Sequence, residues 1–273
     1  MTPAAEVFAT ARGEGRAVLV GYLPAGFPSY DGCVAALDAM VSGGVDLVEV
    51  GLPYSDPVMD GPTIQAAAEA ALAGGTRTVD VLRTVEAVSR RVPTVVMSYW
   101  NPVERYGVDR FARDLAAAGG SGLITPDLIP DEAAEWLAAA DAHRLERVFL
   151  VSPSSTDRRL ASTTAACRGF VYATSVMGVT GVREHTSDRA PTLVRRVRAV
   201  SDLPVAVGLG VSDGDQAAAV AGYADGVVVG SAFVRRLLEA PDPATGNAAV
   251  TELARELAAG VRRVAPAGTL ESR

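Results

Sequence analysis

Leu47-Val-Glu-Val-Gly-Leu-Pro-Tyr-Ser-Asp-Pro-Val-Met-Asp-Gly-Pro-Thr-Ile-Gln65 is the stretch from which the rest of the chain can be read. Its entry, Val45 to Val50, is short and mostly apolar and predicts a buried strand. A segment rich in Gly and Pro follows, which continues neither strand nor helix. Thr63 then opens an Ala-rich helical pattern. One strand–loop–helix unit is therefore written here, with Glu49 at the strand's end and Asp56 and Asp60 in the loop. In a parallel α/β fold that end of a strand is where chemistry is done. Asp46, at the strand's entry, reads as a structural charge. Glu49 is harder to place that way, because a carboxylate between Val48 and Val50 faces a desolvation cost.

The same unit recurs outward from this stretch. Upstream, residues 3–11 read as a helical lead-in, Ala17 to Leu23 as a strand and Tyr30 to Ser42 as a helix stopped by Gly43-Gly44. Downstream, helical material at 63–73 and 79–90 leads to a strand at 92–98, followed by Tyr99-Trp100-Asn101-Pro102. A helix at 109–118, a strand at 122–125 and a helix at 130–143 come next. Strands at 147–151 and 169–174 flank a helix at 156–166. A polar, Gly-rich segment runs from Ser175 to Arg189, and a helix from 191 to 200. The last strands, 204–208 and 226–229, flank a helix at 214–221. Helices at 232–239 and 247–264 follow, the latter with Val250, Leu253, Leu257 and Val261 on one face.

Eight strand–helix units at roughly 30-residue spacing predict a closed (β/α)8 TIM barrel in an α/β chain, read as a single domain over 1–273. An open doubly wound sheet is the structural alternative, because counting units does not prove closure.

Composition narrows the chemistry. The 273 residues carry a net charge of −7 without a basic run, which argues against nucleic acid. No apolar run approaches the ~20 residues of a membrane span. The first residues have neither a charged nor an apolar leader region, and the reading is a cytoplasmic enzyme. All 25 basic residues are Arg. Without Lys there is no Schiff-base aldolase mechanism and no covalently attached pyridoxal phosphate. His143 and His185 stand apart, which argues against a His-built metal site, and none is expected. Cys33 and Cys167 read as buried thiols. Carbon–carbon chemistry is left to carboxylates, Tyr, Ser and Thr, without a cofactor.

The seventh strand ends Val205-Ala-Val-Gly208-Leu-Gly210 and the eighth Val227-Val-Val-Gly230-Ser231, just before a short helix. Loops at this place in a barrel, with a helix N-terminus, bind phosphate through backbone amides. The 175–189 segment is long enough to be a lid.

The run from Glu49 to Gln65 resembles the signature of the tryptophan synthase alpha chain family, with Met59 where the commoner pattern has Ala. The resemblance spans the first strand through the eighth. It implies retro-aldol cleavage of indole-3-glycerol phosphate to indole and glyceraldehyde 3-phosphate. Glu49 and Asp60 would be catalytic, with Asp60 at the indole N–H. Tyr99, Tyr172 and Leu209 would line the indole pocket, and Thr180 would pack toward Asp60. Gly181, Gly210, Gly230 and Ser231 match phosphate positions. The implied partner is a pyridoxal phosphate-dependent beta chain in an α2β2 assembly, sensed through Asp56. Two other readings are another phosphate-binding barrel enzyme of amino-acid biosynthesis and a catalytically silent activating subunit.

Overall fold

A computed structural model describes residues 2–174, 189–208 and 210–263. The strands are β1 (Val18–Pro24), β2 (Leu47–Gly51), β3 (Thr94–Met97), β4 (Gly122–Thr125), β5 (Glu146–Val151), β6 (Val171–Thr174), β7 (Val205–Gly208) and β8 (Gly226–Val229). They lie in chain order, all parallel, and β8 pairs back to β1, so the sheet closes. Closure removes the open doubly wound sheet from consideration.

The helices, in order, are α1 (Pro3–Gly13), α2 (Tyr30–Gly43), α3 (Pro62–Ala73), α4 (Thr78–Val88), α5 (Trp100–Tyr106), α6 (Val108–Ala117), α7 (Ala134–Ala142), α8 (Asp157–Ala166), α9 (Arg189–Arg198), α10 (Gly214–Ala221), α11 (Ser231–Glu239) and α12 (Pro243–Arg262). Two differ in kind from the sequence expectation. α5 begins directly after Tyr99, because Pro102 falls in a first turn, where a missing N–H costs little. The helix expected over 130–143 is a 3-10 turn, Pro130–Glu132, followed by α7. Ala133, at φ −94° and ψ 15°, interrupts the ladder between them.

Period-two alternation sorts the strands into two cores. Val48 and Val50 face outward into the layer beneath the helices. Val18, Val20, Leu47, Val95, Ile124, Val148, Phe170, Ala206 and Val228 fill the barrel with Ala4, Phe8 and Ala11 of α1. α1 is therefore a plug across the N-terminal end of the barrel. Its Phe8 packs on Phe170 at 5.2 Å, and burying one such ring stabilises by about 1.5–3 kcal/mol. Asp46 has the structural role expected of it. Its carboxylate accepts from Arg16 and from the Leu19 N–H, each at 2.9 Å, and ties β2's entry to β1.

Glu146 seats the plug. It is fully buried at the start of β5, and Oε1 accepts from the Ala5 N–H at 3.2 Å. Oε2 is buried with no hydrogen-bond partner. Desolvation pushes the acid up from 4.5 to about 7. A carboxyl raised by folding contributes stability that is complete below 4.5 and lost as pH rises through about 7. Chemical denaturation at pH 5.5 and 8.5 should therefore show wild type losing stability on the order of 2 kcal/mol more than Glu146→Gln over that interval. Equal losses in the two proteins would remove Glu146 from this role.

Candidate active site

The C-terminal ends of the strands carry the chemistry-bearing residues. Glu49 is on β2 with the parity of Leu47, so it points into the barrel above the apolar filling. It is 1% exposed, and its Oε2 has no hydrogen-bond partner. Burial, reinforced by the charge of Asp60, pushes it up from 4.5 to about 8. Asp60 closes the loop that leads into α3. Desolvation raises it, while a hydrogen bond from Tyr99 holds it down. Both carboxyls are thus raised by burial, and the charge of Asp60 adds to it in keeping Glu49 in the acid form.

Tyr99 fixes the loop. Its hydroxyl accepts the Met59 N–H at 3.0 Å and donates to Asp60 Oδ1 at 3.3 Å. Met59 is held by its backbone, so Met in place of Ala leaves this contact in place. Burial, followed by the charge of Asp60, pushes the Tyr99 phenol up to about 12. Tyr172 lies on β6 with the parity of Phe170 and points inward. Its phenol is raised well above its ordinary value by burial and then by the charge of Glu49.

One residue of this cluster was not anticipated. Tyr22 is the register partner of Glu49 on β1. A Cβ on Gly51 would lie 2.3 Å from its hydroxyl, and one on Gly230 would lie 2.9 Å from its ring. The Tyr22 side chain thus fills space that two neighbouring strands leave open. Its phenol is raised by burial and then by Asp60, Glu49, Tyr99 and Tyr172, which places all five groups in one field. The signal was present in the alternation Val18, Val20, Tyr22, which predicts an inward ring.

At the adjoining strand ends, Gly210 follows β7 at φ +71°. Gly230 and the buried Ser231 open α11, and Gly230 has no side chain to accept from the helix's first amides. Asp56 is exposed; its Oδ2 accepts from Ser55 Oγ at 2.6 Å, and neighbouring Val58 is 70% exposed. Thr180, Gly181, Leu209 and residues 175–188 of the lid expected over 175–189 lie outside the described residues. Among the described residues, no cluster of His, Cys, Asp and Glu has metal-binding geometry, and no helix is long and apolar enough to cross a membrane.

A profile described as tryptophan synthase alpha chain matches residues 8–262. The tryptophan synthase alpha chain of Salinispora tropica is 64% identical over 260 residues, covering 95% of this chain and 97% of that protein. That of Acidothermus cellulolyticus is 61% identical, covering 98% and 100% respectively. A solved chain of Mycobacterium tuberculosis tryptophan synthase superposes with a TM-score of 0.90 at 60% identity, covering 96% of this chain and 98% of that one. With buried Glu49 and half-buried Asp60 beside glycine-rich strand ends in one closed barrel, the chain belongs to the tryptophan synthase alpha chain family, the lyases that cleave indole-3-glycerol phosphate in tryptophan biosynthesis.

Proposed function

We propose that Glu49 and Asp60 carry out this cleavage as an acid–base pair, with the chain acting as one catalytic barrel domain. The observation that carries the reading is Glu49 itself: buried, with Oε2 free, and held as an acid to about pH 8 by burial and the charge of Asp60. Glu49 gives its proton to indole C3, and the ring becomes cationic. The Asp60 carboxylate faces the indole N–H and stabilises that charge. The Glu49 carboxylate then takes the proton of the adjacent glycerol hydroxyl. The O–H electrons form the aldehyde C=O, the C–C bond breaks, and its pair restores the aromatic ring. Glu49 ends protonated and the cycle closes. Tyr99 and Tyr172 flank the indole, and the family resemblance assigns Leu209 and Thr180 to the same pocket.

The phosphate is assigned to the amides around Gly210, Gly230 and Ser231, and Gly181 is assigned to the same group by its match to the family's phosphate positions. Without Lys, backbone donors at a helix N-terminus carry most of that binding. A branched side chain at 230 meets the Tyr22 ring and blocks backbone approach. Gly230→Val is expected to weaken glyceraldehyde 3-phosphate binding by about tenfold or more, as loss of a charged hydrogen bond does. Calorimetric titration of both proteins measures this, and equal affinities would remove Gly230 from the phosphate site.

The partner is a pyridoxal phosphate-dependent beta chain in an α2β2 assembly. Two features support it: this chain has no Lys to hold that cofactor, and Asp56 and Val58 stand exposed on the same loop as Asp60. Docking that orders Asp56 would also set Asp60. The deciding assay is indole release from indole-3-glycerol phosphate by the purified chain, alone and with the beta chain. Slow release alone, faster release in the complex, and a loss of activation in Asp56→Ala larger than its loss of basal rate are expected. No indole under either condition refutes the lyase mechanism. Unchanged turnover in a co-eluting complex refutes the coupling alone.

A further inference from the structure

Residues 99–101 touch the Asp60 loop at three points. Tyr99 meets Met59 and Asp60, as described above. Asn101 Nδ2 donates to the Tyr54 hydroxyl at 3.0 Å, and the Tyr54 ring lies 5.3 Å from that of Tyr99. Between them, Trp100 opens α5, so its N–H has no acceptor within the helix. That N–H is taken by Asp127, beyond the end of β4 and 27 residues away, with Oδ1 at 2.9 Å and Oδ2 at 3.2 Å. A carboxylate at this place also meets the favourable end of the helix dipole.

We propose that Asp127 is a positioning residue for the cleavage: it anchors the first turn of α5 and, through Tyr99 and Asn101, holds the Asp60 loop in place over Glu49. The proposal rests on the role assigned to Asp60. Asp127 itself touches none of the reacting groups. Its contribution passes through one backbone N–H to a pair of side chains that together grip residues 54, 59 and 60. Loss of the anchor leaves Glu49 and the barrel intact but lets Asp60 drift from the place where positive charge develops. Misplacement of a catalytic group on the ångström scale costs up to about a hundredfold in rate.

The test compares four variants with wild type in the complex, using Asp60→Asn as the reference for the underlying reading. Asp127→Ala is expected to lower kcat by about tenfold or more while KM stays within about threefold, because the ground-state pocket is unchanged. Asp127→Asn keeps an acceptor for the N–H and is expected to recover most of that loss. Trp100 offers a second route. Pro is tolerated at the first helical position, and Tyr99, at φ −59° and ψ 155°, already has the extended conformation that a following Pro requires. Trp100→Pro therefore deletes the donor, while Trp100→Ala deletes only the ring. Trp100→Pro should fall below Trp100→Ala by the factor that separates Asp127→Ala from wild type. If Asp127→Ala does not fold, the Trp100 pair decides. Equal kcat in Trp100→Pro and Trp100→Ala, or wild-type kcat in folded Asp127→Ala, overturns the proposal. If Asp60→Asn retains full activity, the reading of Asp60 fails instead.

Discussion

Glu49→Gln releases indole from indole-3-glycerol phosphate on the order of a thousandfold more slowly than wild type, near the upper part of what a positioned acid–base group supplies. The amide fits the same buried space but can neither give a proton to C3 nor take one from the hydroxyl. Because every transfer in the proposed cycle passes through this carboxyl, no neighbour replaces it. Substrate affinity, set by the phosphate end and the aromatic walls, stays near wild type. Stability moves in the opposite direction. In wild type, folding raises Glu49 from 4.5 to about 8, so its contribution is complete below 4.5 and is lost as pH rises through about 8. Glu49→Gln should therefore be more stable than wild type above pH 8. Single-turnover kinetics and denaturation at pH 8.5 measure both effects. Activity within a few-fold of wild type would remove Glu49 from catalysis.

The second large effect is that of Asp60→Asn, where kcat falls by about a hundredfold to a thousandfold, the range seen when a preorganised electrostatic partner is lost. Asn keeps an oxygen for the Tyr99 hydroxyl, so the loop holds its place and the loss comes from the missing charge. This substitution carries a second signature. Asp60's charge is one of the two causes that raise Glu49, so removing it lowers the Glu49 pKa. The alkaline fall in kcat/KM, which reports loss of the Glu49 proton, then moves to lower pH. A rate and pH profile identical to wild type would leave Asp60 with a structural role only.

What was legible in the sequence follows from the range of each interaction. Strand–helix alternation is local, and β4, β8 and α10 fall where the periodicity places them. Glu49 was legible because an acid inside an apolar run contradicts its surroundings. Tyr22 was not, because an aromatic ring in an apolar strand agrees with its surroundings; only its register with Glu49 and the space left by Gly51 and Gly230 bring it to the site. α5 was missed because Pro102 reads as a breaker until its place in a first turn is known. Asp127 was passed over because its partner is a backbone N–H, which every residue but Pro has, brought near by closure of the barrel rather than by spacing.

The plug of α1 makes the barrel a cup with a floor. Phe8 and its neighbours block the far end, and Glu49 stands above that floor. Whatever enters must leave by the same rim, past the Asp60 loop and the glycine turns. Traffic is therefore two-way through one doorway. Indole left inside occupies the place the next substrate needs, and so does glyceraldehyde 3-phosphate. Obstruction by either product is built into the vessel's shape, and how fast the cup empties sets how soon it refills.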